Sequence, residues 1–305
     1  MNRAKLTTSR EECVVQRDSV KLEPMNPPPE WNKNSLLETP TFTPLHPVIR
    51  KLGEDGFPTL HNCNELLVNQ QPTITVHGGL PLRFVAQEYG KLAFEARYEP
   101  RCFLKGEVPT RANNWHDLLN ALVWLTFPKA KAAINWRHYQ ALTLEDDSAT
   151  HSQRGAVRDT ATLLDESGII VACADVQLTE LLCNFKWKEL FWQRRKQIGS
   201  GMGFYLFGHG LYEKTLRPYT GMTGQGLILP VEQIFFSWPQ ARQLAHLDGL
   251  LAAYLTSNEH CRNTRELTPV PLLGVPGWAA ENESAEYYNN TDYFRTTRHA
   301  HSSDQ

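Results

Sequence analysis

The chain has 305 residues, 41% of them hydrophobic and 21% charged, with a formal net charge of −2. That is the profile of a globular protein with a real core, and it excludes a molecule-wide electrostatic bias toward nucleic acid or anionic membrane. Six cysteines are scattered at positions 13, 63, 102, 173, 183 and 261 with no CxxC pair, which argues against a thiolate metal cluster and a secretory disulfide framework. The opening MNRAKLTTSREEC has no apolar run of the signal-peptide kind, and no stretch reaches the roughly 18 apolar residues of a membrane span. The expectation is a cytoplasmic protein.

Residues 1–48 are polar and punctuated by proline (LEPMNPPPEWNKN, LETPTFTPLHP). Proline fixes φ and removes a donor, so this segment is expected to be an extended or disordered arm, with Trp31 and Phe42 able to pin it to the body. TLHNCNELLVNQ (59–70) reads as a short helix, and LPLRFVAQE and LAFEARYEP as short extended or irregular pieces. Asn113 or Asn114 can cap a helix that runs to Phe127 and stops at Pro128, which can itself start a second helix, KAKAAINWRHYQALTLE. EDDSATHSQRG reads as a polar loop, and TATLLDESGIIVACAD as a β-hairpin turning at Asp165–Gly168.

VQLTELLCNFKWKELFWQRRKQ and GMGFYLFGHGLYEKTLRP are then expected as helices, TGQGLILPV as a strand, and PQARQLAHLDGLLAAYLTS as an amphipathic helix. Past about residue 265 the chain reads as an irregular wrap, with a polar, disordered tail over 296–305. The expected architecture is α+β, a mainly helical single domain over 49–295 with a small β-hairpin or sheet.

Chemistry concentrates in NWHDLLNALVWLTF. At about 100° per residue, its leucines and valine cover more than half the helix, while His116, Asp117 and Asn120 share one wedge. FGHGLYEK repeats the arrangement with His209 and Glu213 one turn apart, the histidine flanked by Gly208 and Gly210. Two glycines beside it suggest close approach of a helix or a ligand. Imidazoles next to carboxylates suit proton transfer near neutral pH or the binding of a divalent metal, with His116, His209, Glu213 and Asp165 as candidate ligands. Arg158 can hold an anionic substrate group through its planar fork, and Asp159, Asp165 and Glu166 are further carboxylates within reach in sequence. A solvent-facing strip or a structurally satisfied histidine explains the same wedge without chemistry.

FKWKELFWQRRK sets Lys186, Lys188, Arg194, Arg195 and Lys196 among Trp187, Phe191 and Trp192, as a base-stacking surface would. The plainer explanation turns the aromatics to the core and the cations to water. GMTGQG does not link a strand to a helix as a phosphate loop does, there is no GxSxG elbow, and nothing marks a cysteine as activated.

NWHDLLNALVWLTFPKAKAAIN, RDTATLLDESGIIV, WKELFWQRR, FGHGLYEK, PVPLLGVPGW and YYNNTDYFR occur in this order, and together they resemble the bacterial family known as domain of unknown function 3025, over about residues 45–298. The resemblance implies one domain in a bacterial cytoplasm and carries no activity, cofactor or catalytic residue with it. From the two histidine-bearing wedges, the expectation is an enzyme, a hydrolase or transferase with a His/carboxylate acid–base or metal site acting on a small molecule. In it, His116 or His209 is base or ligand, Asp117 and Glu213 orient an imidazole, and Asn120 positions substrate. The alternative is a non-catalytic RNA- or protein-binding domain using the basic face of 185–196, with Trp187 and Trp192 exposed.

Overall fold

The structure is a computed structural model, described here for residues 29–143, 151–257 and 259–296, with side chains left aside over 151–157. Residues 1–28 of the expected arm, most of the polar loop, and the tail from 297 lie outside the described residues. In chain order the elements are α1 (Lys33–Glu38), α2 (His46–Ile49), α3 (Leu60–Val68), β1 (Arg83–Ala86), α4 (Tyr98–Lys105), β2 (Glu107–Thr110), α5 (Trp115–Thr126) and α6 (Pro128–Thr143). They continue with α7 (His151–Ser167), β3 (Gly168–Cys173), α8 (Val176–Cys183), β4 (Met202–Leu206), α9 (His209–Thr215), β5 (Thr223–Pro230), α10 (Gln240–Thr256) and β6 (Thr268–Pro271). The architecture is a mainly helical α+β domain, with one four-stranded sheet in the order β4-β3-β5-β6 and a separate parallel pair, β1-β2.

β3 is central, antiparallel to β4 and parallel to β5, and all six of its residues are buried. This is why GIIVAC is continuously apolar and does not alternate. α5 packs on α9, α6, α2 and α3, while α6 packs on α4, α7 and α10. The side chain of Asn114 caps α5 by accepting from Asp117 N, and ten of the helix's residues are buried, so the helix lies inside the protein as its composition demands.

Four sequence expectations change. Residues 33–48 form α1, a 3-10 turn and α2, with Leu36, Phe42, Leu45 and Val48 buried, so this part of the expected arm is packed helix. Its prolines fall where helices tolerate them, in the first turns of the 3-10 turn and of α2, and Pro44 inside the short 3-10 stretch. The hairpin at Asp165–Gly168 is instead the end of α7 running straight into β3: Thr160, Ala161 and Leu164 are buried at helical spacing, and a Cβ on Gly168 would lie 2.3 Å from the carbonyl oxygen of Leu164.

GMGFYLFGHGLYEK is a strand, β4, followed by a helix, α9, because Met202–Leu206 pair along β3. The long helix expected over 176–197 breaks at Phe185, whose φ of 57° is left-handed, and resumes as a π-helical turn over Glu189–Gln193.

Candidate metal centre

Three helices and one strand pairing build the site. In the β3/β4 ladder Ile169 pairs with Leu206, and Phe207 N and Gly208 N both donate to Gly168 O at 3.0 and 2.9 Å. Continuing that register sets the end of α7, with Asp165 and Glu166, against the start of α9, with His209. Gly208 and Gly210 permit the approach. A Cβ on Gly208 would lie 2.5 Å from the backbone of Ser167 and Gly168, and one on Gly210 would lie 2.3 Å from Oε2 of Glu166. α5 packs across α9 and brings in His116 from 93 positions away.

Nε2 of His116 and Nε2 of His209 are 3.0 Å apart, with the rings crossing at 69°. The outer nitrogens face carboxylates. His116 Nδ1 is 2.9 Å from Glu213 Oε2, a distance at which Nδ1–H donates and leaves the Nε2 lone pair pointing inward. His209 Nδ1 has Asp165 Oδ1 at 3.7 Å, beyond hydrogen-bond reach, so this buried nitrogen feels the carboxylate's charge but has no hydrogen-bond partner among the described residues. At 3.0 Å the inward lone pair of His116 needs something positive opposite it, either an N–H of His209 or a metal ion between the two nitrogens. Glu166 Oε1 stands 3.6 Å from His209 Nε2 and 3.9 Å from His116 Nε2, too far to hydrogen-bond either. Ligands at about 2.05 Å around a tetrahedral ion lie about 3.3 Å from one another, and the three separations, 3.0, 3.6 and 3.9 Å, fall on either side of that value, so the group could hold a metal ion.

Asp165 is anchored from beneath. Lys131, 3% exposed in its side chain, donates to Oδ1. Burial pushes this carboxyl up, but the Lys131 ammonium and His209 beside it outweigh that and hold it well below the usual carboxylate range. Asp165 is therefore a fixed anion behind His209.

A cavity of about 520 Å³ opens onto the centre, and His116, Asp117, Asn120, Arg158, Asp165, Glu166 and His209 all line it. The candidates thus converge, with different parts to play. Asp117 is spent on Arg111, accepting from its backbone N at 2.6 Å, Nε at 3.0 Å and a terminal guanidinium nitrogen at 2.7 Å, so it is no free base. Asn120 donates to the Tyr98 hydroxyl at 2.7 Å, and its buried Oδ1 has no partner. Asp159 is exposed and is not among the cavity-lining residues. Of the four ligand candidates, the two histidines face inward, while Glu213 and Asp165 stand behind them; the third inward group is Glu166.

Sequence reasoning missed a second polar group in the cavity wall. His138 Nδ1 is 3.0 Å from Glu99 Oε1, and its Nε2 is 3.3 Å from Thr162 Oγ1. Glu99 Oε2 accepts from Asn135 at 2.6 Å. Burial lowers the His138 pKa, but the bond to and charge of Glu99 outweigh it and leave it raised. The signals were present: Asn135 and His138 are one turn apart on α6, and Arg158, Thr162, Asp165 and Glu166 fall within about 100° of arc on α7.

Elsewhere the structure is plainer. Trp187 is buried and donates to Arg295 O at 2.7 Å, Trp192 is half-buried against the core, and Lys188 and Arg195 bind Asn289 and Asn282, so these residues of the basic-aromatic stretch hold the C-terminal wrap. Burial pushes the Cys102 thiol well above its ordinary value, the reverse of an activated nucleophile. Among the described residues no helix is long and apolar enough to cross a membrane.

The sequence profile of the family described as protein of unknown function (DUF3025) matches residues 82–298, and the chain belongs to that family. Those residues contain every group of the centre. No curated protein and no solved structure matches the chain.

Proposed function

We propose that the protein is a metal-dependent hydrolase in which one divalent ion is held by His116 Nε2, His209 Nε2 and the carboxylate of Glu166. The observation that carries this reading is the pair of inward nitrogens 3.0 Å apart, with Glu213 hydrogen-bonded behind His116 at 2.9 Å and the Asp165 anion 3.7 Å behind His209. Carboxylate behind imidazole is the arrangement that fixes tautomer and raises basicity in metal sites. Two histidines with one glutamate form a three-ligand set that leaves a position for water, whose pKa an ion such as Zn²⁺ lowers to about 7. Tyr98 lines the same cavity, and its oxygen already accepts from Asn120, so its O–H is left to donate to a developing oxyanion or a leaving group.

The test is elemental analysis of the purified full chain after equilibration with Zn²⁺, Mn²⁺ and Fe²⁺, alongside turnover of activated ester and phosphoester substrates. The expected result is one ion per chain, lost in His209→Ala and His116→Ala, with turnover that a chelator removes and the ion restores. No bound ion under any of these conditions would leave a shared proton between the imidazoles, and the metal reading would be abandoned.

A further inference from the structure

We infer that the cavity carries, one to two turns along α7 from Glu166, a subsite for a small oxyanion, carboxylate or phosphate, formed by Arg158, the Thr162 hydroxyl and His138. This inference rests on the hydrolase reading and names the class of substrate it takes: a molecule with an anionic group held apart from the bond that is cut.

Arg158, Thr162 and Glu166 follow one another at four-residue spacing, so they form a single row along the cavity wall. At 1.5 Å per residue, Thr162 lies about 6 Å and Arg158 about 12 Å along the helix axis from Glu166. Arg158 is exposed into this space and has no carboxylate partner among the described residues, whereas Arg111 on the same wall is taken by Asp117. A guanidinium offers two parallel donors that match an oxyanion edge.

Thr162 is oriented by His138. Glu99 holds the Nδ1 side of that ring and favours its protonated form, so Nε2–H points at the threonine oxygen, 3.3 Å away. With its oxygen accepting, the hydroxyl proton is free to be donated toward the cavity. This end of the wall therefore presents the donors of Arg158 and Thr162, while the opposite end presents the inward Glu166 carboxylate, an acceptor suited to a cation. A bound molecule would be ordered with its anion toward Arg158 and its reacting carbonyl or phosphoryl group toward the imidazole pair.

The experiment titrates inorganic phosphate, and separately acetate, into chelator-treated and Zn²⁺-loaded full-length protein by calorimetry. Wild type is compared with Arg158→Ala, Thr162→Val and His116→Ala, and metal content is measured on each sample. The expected result is anion binding in the chelator-treated chain that weakens by about tenfold or more in Arg158→Ala and Thr162→Val, with their metal content unchanged. His116→Ala should lose the metal and keep the anion. Preference for phosphate over acetate, or the reverse, identifies the source of the oxyanion. Anion affinity unchanged in Arg158→Ala, or no binding of either anion by wild type, would overturn the subsite and leave the metal reading standing. Arg158-dependent binding in a protein that takes up no metal would sustain the subsite and remove the hydrolase reading beneath it.

Discussion

Gly210 and Glu166 share one space: a Cβ built on the glycine would sit 2.3 Å from the carboxylate oxygen Oε2 and 3.1 Å from the Glu166 carbonyl. The glycine is in the first turn of α9, where alanine is the better helix former by up to about 1 kcal/mol. Gly210→Ala should therefore separate stability from function. Thermal melting is expected to stay within a few degrees of wild type, roughly the shift that 1 kcal/mol produces, while metal content drops as the Glu166 side chain is pushed aside. Full metal occupancy in this variant would show that Glu166 is not a ligand.

Glu213 tests the outer layer. Its side chain is 45% exposed and meets His116 at Nδ1, away from the centre. Glu213→Gln keeps the shape and removes the charge. The expectation is a metal affinity lower by about 10- to 100-fold, with an unchanged circular dichroism spectrum. Competition with a fluorescent chelator reads the constant.

Lys131→Met removes the cation under Asp165 and strands a carboxylate. Breaking a buried pair from one side costs about 3–5 kcal/mol, so a marked loss of stability is expected in denaturant titrations. Lys131→Met/Asp165→Asn, which strands no charge, should recover most of it. Because the folded protein holds Asp165 below its ordinary value, the carboxylate's contribution is complete above about pH 4 and falls away on acidification. The double variant should lose that acid-side slope.

Asp248 gives the opposite sign. It lies buried on α10 and accepts from Lys129 N at 3.1 Å and Ala130 N at 2.8 Å, closing the first turn of α6. Burial pushes its carboxyl up to about 6, against these bonds. The folded state thus binds the proton more tightly than the unfolded chain. Its contribution is present below about pH 4 and is lost as pH rises through 6, a change of about 3 kcal/mol over two units. Asp248→Asn should flatten the stability profile over that interval, measured as urea midpoints from pH 4 to 7; an unaltered slope would refute the assignment.

The parts of the fold that were legible are those in which hydrophobic period and burial coincide. α5, α6 and α10 appear in the sequence with bounds close to those observed, and α5 announced its polar wedge. Glu166 was harder to place, because LLDESG has the turn chemistry of aspartate, serine and glycine, and GIIVAC the composition of a strand. Together they imitate a hairpin, and only the spacing of Thr160, Ala161 and Leu164 betrays the helix. MGFYLF is a strand because β3 lies beside it, information no local window holds. His138 went unremarked since Glu99, which gives it a role, is 39 positions away.

The inward donors come from α5, α7 and α9, and the two histidines are 93 positions apart. An ion gripping all of them would be a removable crosslink, pinning chain loops whose closure otherwise depends on packing and strand pairing. Melting temperature would then climb with free metal concentration, and the molecule's durability would follow the mineral supply of its surroundings.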